Sequence, residues 1–292
     1  MTVVDRPAWV DGELFPFESR FVDIDGHRIH YVDEGSGPTL LFLHGNPTWS
    51  FDYREIISSL RNEFRCIAVD YPGFGLSMAA PGYRYLPAEH ARVIGGFVKT
   101  LELSGVTLVA HDWGGPIGLA AVQQRPEAFD RLVLTNTWAW PIGAPLVRVM
   151  SHVMGSPLGR LLIRQFNLFV NVMIPVGHRL TKPTEKQMAH YQKALDSPAR
   201  REASAVFPRE ITASRAFLVD VEAGLRDLAA LPTLILWGDS DFAFGKNELR
   251  RWERTFTDRQ TVIVKGAGHF VPSDAPGQFA AAIRDWHAAA GA

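Results

Sequence analysis

Short, unbroken apolar runs alternate along this chain with stretches of helical period. Thr39–Leu43 (TLLFL), Phe64–Asp70 (FRCIAVD), Val106–Asp112 (VTLVAHD) and Arg131–Thr137 (RLVLTNT) read as strands covered on both faces. A strand with one wet face would instead alternate polar and apolar positions. Between them, YREIISSLRN from Tyr53, Pro87–Leu103 and GPIGLAAVQQ from Gly115 read as helices, the last ended or interrupted by Pro126. Ahead of these runs, Arg20–Gly35 reads as two strands joined at Asp25-Gly26, a pair suited to a tight hairpin turn.

The alternation stops at Trp138. From there to about Leu218 the period is helical, broken up by Pro145, Pro157, Pro175, Pro183, Pro198 and Pro208. It resumes with LPTLILWGD, GKNELRRWERTF, QTVIVKGAGH and PGQFAAAIRDWHAA. The pattern predicts an α/β fold: a mostly parallel central sheet, helices on both faces, and a helical cap inserted after the sixth strand. The expected division is a main domain of residues 1–137 and 219–292 and a cap of residues 138–218.

Composition narrows the functional classes. The 292 residues carry a formal net charge of -1, with no basic stripe, so a nucleic-acid partner is not expected. The single cysteine, Cys66, excludes an intrachain disulfide and suits a reducing compartment. No Cys/His cluster has zinc spacing. The N-terminus lacks a signal-peptide core, and Arg148, Arg160 and Arg164 interrupt the longest apolar stretches. A cytoplasmic protein with no membrane partner is the expectation. The 18 Phe and 8 Trp are many for this length and suit a large core or an apolar pocket.

In a parallel sheet, ligands bind beyond the C-terminal strand ends. The residues there are His44-Gly45-Asn46, Asp70, Asp112-Trp113, Asn136, Asp239, Asp241 and His269. Within Ala110-His111-Asp112-Trp113-Gly114-Gly115, small residues flank the central Asp112. A strand that turns sharply into a helix needs such neighbours, the geometry of the G-x-S-x-G nucleophile elbow, and here Asp stands in the place of Ser. Asp is also a common helix N-cap, but capping accounts for neither the glycines nor a distant Asp–His pair. That pair is Asp241 and His269, and the order nucleophile, acid, His is that of α/β-hydrolase triads. Asp241 would fix the tautomer of His269, leaving the other ring nitrogen as a general base. Asp239 competes for the acid role or anchors the turn. The backbone N–H groups of Asn46 and Trp113 are placed to stabilise an oxyanion, and their side chains add two donors that suit an anionic leaving group.

HGNPTWS at 44–50, DYPGFGLS at 70–77, HDWGG at 111–115, Asp241, GAGHF at 266–270 and FPREI at 207–211 together resemble the haloalkane dehalogenases, from about Phe21 to residue 290. The resemblance implies Asp112 as nucleophile, His269 as base, and Trp113 and Asn46 as halide-binding side chains. Some members carry the acid after the strand RLVLTN, where this chain has Asn136. Others carry it where this chain has Asp241, and the combination with Asn46 is similar to a third subfamily whose members self-associate. The implied substrate is a small halogenated aliphatic molecule, converted to alcohol, halide and a proton with no metal or organic cofactor. Trp138, Trp140, Phe166, Phe169, Phe207, Phe217 and Leu218 are the candidate pocket walls. An epoxide hydrolase with the same Asp112, His269 and Asp241 is the nearest alternative, but that family uses two cap tyrosines and this cap offers one, Tyr191. A non-catalytic or luciferase-like protein on the same scaffold is the remaining alternative.

Overall fold

The computed structural model describes residues 6–289; the opening MTVVD and the far end of the family resemblance at residue 290 lie outside them. Eight strands form one sheet in the order β1-β2-β4-β3-β5-β6-β7-β8. The strands are β1 (Arg20–Ile24), β2 (His27–Glu34), β3 (Thr39–Leu43), β4 (Arg65–Val69), β5 (Val106–Asp112), β6 (Phe129–Thr137), β7 (Thr233–Gly238) and β8 (Arg259–Val264). The β1–β2 and β2–β4 pairs are antiparallel and the other pairs are parallel. The hairpin turns at Asp25 and Gly26, both with positive φ.

The unbroken apolar runs follow from helices on both faces. Leu41, Leu43, Leu108, Ala110, Leu132 and Leu134 face a core built with α2 (Pro87–Thr100), α3 (Gly114–Gln124) and, further on, a helix over Arg215–Leu228. Their neighbours Leu40, Phe42, Val109 and Val133 face a second core with α1 (Arg54–Leu60) and the last helix, Pro276–Ala289. Each fully buried side chain of this size contributes about 1.5–3 kcal/mol relative to exposure. Successive positions therefore point to opposite faces, and both faces are dry.

Between β6 and β7 lie α4 (Pro145–Gly155), α5 (Pro157–Phe166), a π-helical turn over Phe169–Met173, α6 (Ile174–Gly177), α7 (Glu185–Ala194), α8 (Glu202–Ala213) and α9 (Arg215–Leu228). Pro145 and Pro157 occupy first helical positions, where the missing N–H costs nothing. Pro208 departs from the expectation that each proline breaks the helical period. It lies inside α8, which continues through it to Ala213. Its own carbonyl accepts the Ser151 hydroxyl of α4 at 2.6 Å, which ties the two helices together.

One joint ties this insertion to the sheet. The buried Asp274 carboxylate, on α11 (Val271–Asp274), accepts backbone N–H groups of Arg179 (3.0 Å), Leu180 (2.8 Å), Thr181 (2.7 Å) and Gly268 (2.7 Å). The His269 N–H donates to the Gly177 carbonyl at 2.8 Å. The loop bearing His269 is thus held against residues 177–181. After α9 and β7, α10 (Lys246–Thr255) leads to β8, and α12 (Pro276–Ala289) closes the chain.

Candidate active site

β5 is buried at all seven positions and ends on Asp112, whose φ is 50°. This left-handed conformation is costly for a residue with a side chain, and it marks the bend from strand into α3. The pairing with β6 slips between His111 and Asp112, which opens room for the turn. Two glycines make the bend sterically feasible. A Cβ on Gly45 would fall within the Asp112 side chain, and one on Gly115 would fall on the Thr137 hydroxyl. The small residues read as an elbow signature are therefore enforced by close approach.

The two oxygens of the Asp112 carboxylate meet different surroundings. Oδ1 accepts the backbone N–H of Asn46 at 2.8 Å, and the Trp113 N–H also bonds to the carboxylate. Oδ2 lies 3.7 Å from His269 Nε2, an ion-pair separation rather than a hydrogen bond. Burial raises the Asp112 pKa, against the opposing pull of His269 and the two N–H groups.

On its other side, His269 Nδ1 meets Asp241 at 3.0 Å from Oδ2 and 3.2 Å from Oδ1. The Asp241 carboxylate is itself oriented, since Asn136 Nδ2 donates to Oδ2 at 2.8 Å and the Ala243 N–H donates to Oδ1 at 2.7 Å. Burial alone would lower the His269 pKa, but the charge and hydrogen bond of Asp241, followed by the charge of Asp112, raise it to about 9. Behind the ring, His111 Nε2 donates to the His269 carbonyl at 2.8 Å. Burial holds His111 neutral.

These groups close one end of a cavity of about 70 Å³. Asn46, Asp112, Trp113 and His269 line it together with Trp138, Phe169, Met150, Met154, Met173 and Phe244. Asn46 Nδ2 reaches the Ser204 carbonyl of α8 at 3.4 Å. The Trp113 ring packs edge-on to Trp138 (4.7 Å between centroids) and against Phe207 (4.9 Å). The arrangement sets the Asp112 carboxylate, the Asn46 amide, the Trp113 indole and the His269 imidazole around an otherwise apolar space.

Other residues named from the sequence lie elsewhere. Asp239 accepts the Gly266 N–H at 2.7 Å and Ser240 Oγ at 3.2 Å, so it anchors the turn. Asp70 is buried and paired with His30 Nδ1 at 2.7 Å. Trp140 packs on Trp252, and Leu218 is buried in the core with Phe217 partly buried beside it. Phe207 supports Trp113 without lining the cavity. Phe166 is 66% exposed on the outside of the insertion. Tyr191 donates to buried Asp52 at 2.8 Å and does not line the cavity.

Sequence reasoning passed over the polar support. Asn136 stands among the strand-end residues in the sequence, but only its place there hints that its amide orients Asp241. The i, i+4 pair Met150 and Met154 was a signal for a cavity-facing helix stripe, but nothing in the sequence indicated that Asp274 would grip both the insertion and the His269 loop. Among the described residues there is no cluster of three or more metal-ligating side chains and no helix long and apolar enough to cross a membrane.

Known proteins share the sequence and fold of this chain. A family model of the alpha/beta hydrolase fold matches residues 38–276. Haloalkane dehalogenase 2 of Mycobacterium tuberculosis (strain H37Rv) is 45% identical over 277 residues, covering 94% of this chain and 96% of that protein. A cis-3-alkyl-4-alkyloxetan-2-one decarboxylase of Shewanella oneidensis is 33% identical, covering 90% of this chain and 86% of that protein. Among solved structures, the haloalkane dehalogenase DatA from Agrobacterium tumefaciens C58 superposes with a TM-score of 0.84 at 26% identity, covering 97% of this chain and 98% of that one.

Proposed function

This chain belongs to the haloalkane dehalogenases of the alpha/beta hydrolase fold, enzymes that cleave carbon–halogen bonds hydrolytically, and from that premise we propose which residues carry the reaction. Asp112 is the nucleophile. Its Oδ2 attacks the halogen-bearing sp3 carbon from the side opposite the halogen, and the halide leaves with the bonding electron pair. The side-chain N–H groups of Asn46 and Trp113 stabilise the halide as its charge develops. The product of this step is an alkyl ester of Asp112.

His269 then takes a proton from water, and the hydroxide attacks the ester carbonyl carbon. The tetrahedral oxyanion forms on the oxygen held by the backbone N–H groups of Asn46 and Trp113. Collapse expels the alcohol and regenerates the Asp112 carboxylate, so haloalkane and water become alcohol, halide and a proton. Asp241 holds the His269 tautomer and stabilises its charged form. The raised His269 pKa fits this order of events: esterification removes the Asp112 charge, one of the causes that raises it, and so releases His269 to act as base.

The observation that carries this reading is the division of labour at Asp112. One carboxylate oxygen sits in an N–H cradle, and the other lies beside His269 at the end of an apolar cavity with two N–H donors. Haloalkanes offer little to hydrogen-bond, so apolar burial must position them, and Trp138 and Phe169 are the proposed walls. We assign residues 138–218 to the cap and the flanking segments to the main domain; residue 218 falls inside α9. We also propose that the protein is cytoplasmic and self-associates. Sedimentation velocity across a concentration series tests the latter.

Likeness to the oxetan-2-one decarboxylase favours a second substrate to try, because a strained ring ester also presents an sp3 carbon with an anionic leaving group. Purified protein is incubated separately with 1-bromobutane, 1,2-dibromoethane, an epoxide and a cis-3,4-dialkyl-oxetan-2-one. Halide release with alcohol formation is the expected result. Rapid diol formation or carbon dioxide release without halide would overturn the reading.

A further inference from the structure

Inside an α-helix, each carbonyl accepts the N–H four residues on, unless that residue is proline. Pro208 lies within α8, so no N–H at position 208 serves the Ser204 carbonyl. That carbonyl instead faces Asn46, whose Nδ2 donates to it at 3.4 Å from the main domain. The other end of the same amide, Asn46 Oδ1, is buried and has no hydrogen-bond partner among the described residues. Turning the amide over would set two acceptor oxygens against each other, so the freed carbonyl selects the orientation. An amide nitrogen carries two hydrogens. With one engaged by Ser204, the other stays available on the cavity side, where Asn46 stands with Trp113.

We propose that Pro208 is a positioning residue for the Asn46 side chain, acting through the helix hydrogen bond it withholds. The inference rests on the reading of Asn46 as a halide ligand. It gives the proline a role besides its contribution to the cavity wall. Alanine at 208 would restore the intrahelical bond and raise helix propensity, so loss of fold is not the expected confounder. The Ser204 carbonyl would then be occupied, and the amide of Asn46 would lose its anchor.

The test is bromide binding, read by quenching of tryptophan fluorescence in Pro208→Ala, Asn46→Ala and the double variant, with thermal unfolding as the control for fold. Asn46→Ala should weaken bromide binding by about tenfold or more, the scale of a hydrogen bond to a charge. Pro208→Ala should weaken it about three- to tenfold in the parent, and by less than about twofold in the Asn46→Ala background, because coupled residues are not additive. Equal effects of Pro208→Ala in both backgrounds, or no effect in the parent, would overturn the inference while leaving Asn46 as a halide ligand. No effect of Asn46→Ala would sink the halide assignment itself, and the inference with it.

A second observation concerns the outer face of the insertion. From residue 131 to residue 184 the chain contains no Asp or Glu, but carries Arg148, Arg160, Arg164, Arg179 and Lys182 within the helical part. Arg160 and Arg164 share one carboxylate, Glu202; Arg148 and Arg179 are exposed. On the same helices as Arg148, Arg160 and Arg164, Val149 and Val153 of α4 and Leu158, Leu161 and Phe166 of α5 are each at least half exposed. The opposite face of α4 lines the cavity through Val147, Met150 and Met154. Cationic and apolar exposure together suit an interface that is negative at its surface and apolar beneath. A second copy of this chain fits less well, since a two-fold contact would set this cationic face against itself.

We infer that the outer face of α4 and α5 rests on an anionic lipid surface, from which apolar substrate reaches the cavity beneath. A helix can rest on such a surface without spanning it, and among the described residues none is long and apolar enough to cross a membrane. Vesicle co-sedimentation tests it, with equimolar phosphatidylcholine and phosphatidylglycerol against phosphatidylcholine alone. Binding should be at least about tenfold stronger to the anionic vesicles and weaken with added salt. The triple variant Leu158→Gln, Leu161→Gln, Phe166→Gln should lose at least about tenfold, given the apolar area removed. Equal binding to both vesicles, binding indifferent to the triple variant, or dimerisation abolished by that variant without vesicle binding would each overturn the inference.

Discussion

The elbow at the end of β5 and the helical insertion above it line the same cavity, yet they are specified by different physics. At the elbow, strand register and close approach decide everything locally: Asp112 must stand where φ is 50°, and Gly45 and Gly115 must yield to its side chain and to Thr137. In the insertion, α4 is apolar on both sides, with Val149 and Val153 outside and Met150 and Met154 inside, and tertiary packing decides which side faces inward. Phe166 and Phe169 make the contrast plain. Three residues apart, they would share a helix face. Asn167, with φ of 51°, ends α5 between them, so Phe169 lines the cavity and Phe166 faces solvent. Polar chemistry sits on rigid, local geometry, and substrate fit sits on a surface set by long-range packing.

Substitutions at the two regions should therefore differ in kind. The largest effect belongs to the elbow. Asp112→Asn, a change that tolerates the left-handed backbone, should lower halide release roughly ten-thousand-fold or more, because no second carboxylate can take over the attack. Retention of more than about a hundredth of the parent rate in a steady-state halide assay would break the contrast at its strongest point.

A pH study divides the elbow chemistry further. With its pKa raised to about 9, His269 in the resting site is protonated at neutral pH, and only its neutral form can take a proton from water. Formation of the ester needs no base, so the single-turnover rate of halide release should be flat across neutral pH. Ester hydrolysis should rise with pH, through an apparent pKa below about 9, because the esterified Asp112 no longer contributes its charge. Rapid-quench measurement of both steps checks this. A halide-release step that tracks the same titration as hydrolysis would give His269 a part in the attack that this account denies it.

The smallest effects belong to the wall. Phe169→Ala should raise KM for 1-bromobutane about three- to tenfold with little change in the first chemical step, while Phe166→Ala should change KM less than about twofold in water. Equal shifts for the pair would mean that helical spacing, not the turn at Asn167, governs which aromatic meets substrate.

The same contrast explains what was legible in the chain. The central strands were readable because Leu41 and Phe42, or Leu108 and Val109, are neighbours that enter opposite dry faces, which leaves a continuous apolar run. Asp112, Asp241 and His269 were readable because strand ends and glycines bracket them, and the structure brings all three within reach of one another. The wall was much less readable. Trp140 and Phe207 are as aromatic as Trp138, but Trp140 packs on Trp252 and Phe207 braces Trp113. Pro208 reads as a breaker because its cost is local, while Asn46, which uses the Ser204 carbonyl it frees, is 158 residues from Ser204. Asn136 stands where some family members carry the acid, and its amide instead orients Asp241.

The central claim, that the Asp112 carboxylate becomes covalently bonded to the substrate carbon, has a direct test. His269→Gln is incubated with 1-bromobutane, and the intact protein and its peptides are weighed by mass spectrometry. The account predicts release of about one bromide per protein, retention of one butyl group, and its location on Asp112, because the ester forms without His269 and hydrolysis fails without it. Bromide release with no retained alkyl group, or an alkyl group on any other residue, would contradict it.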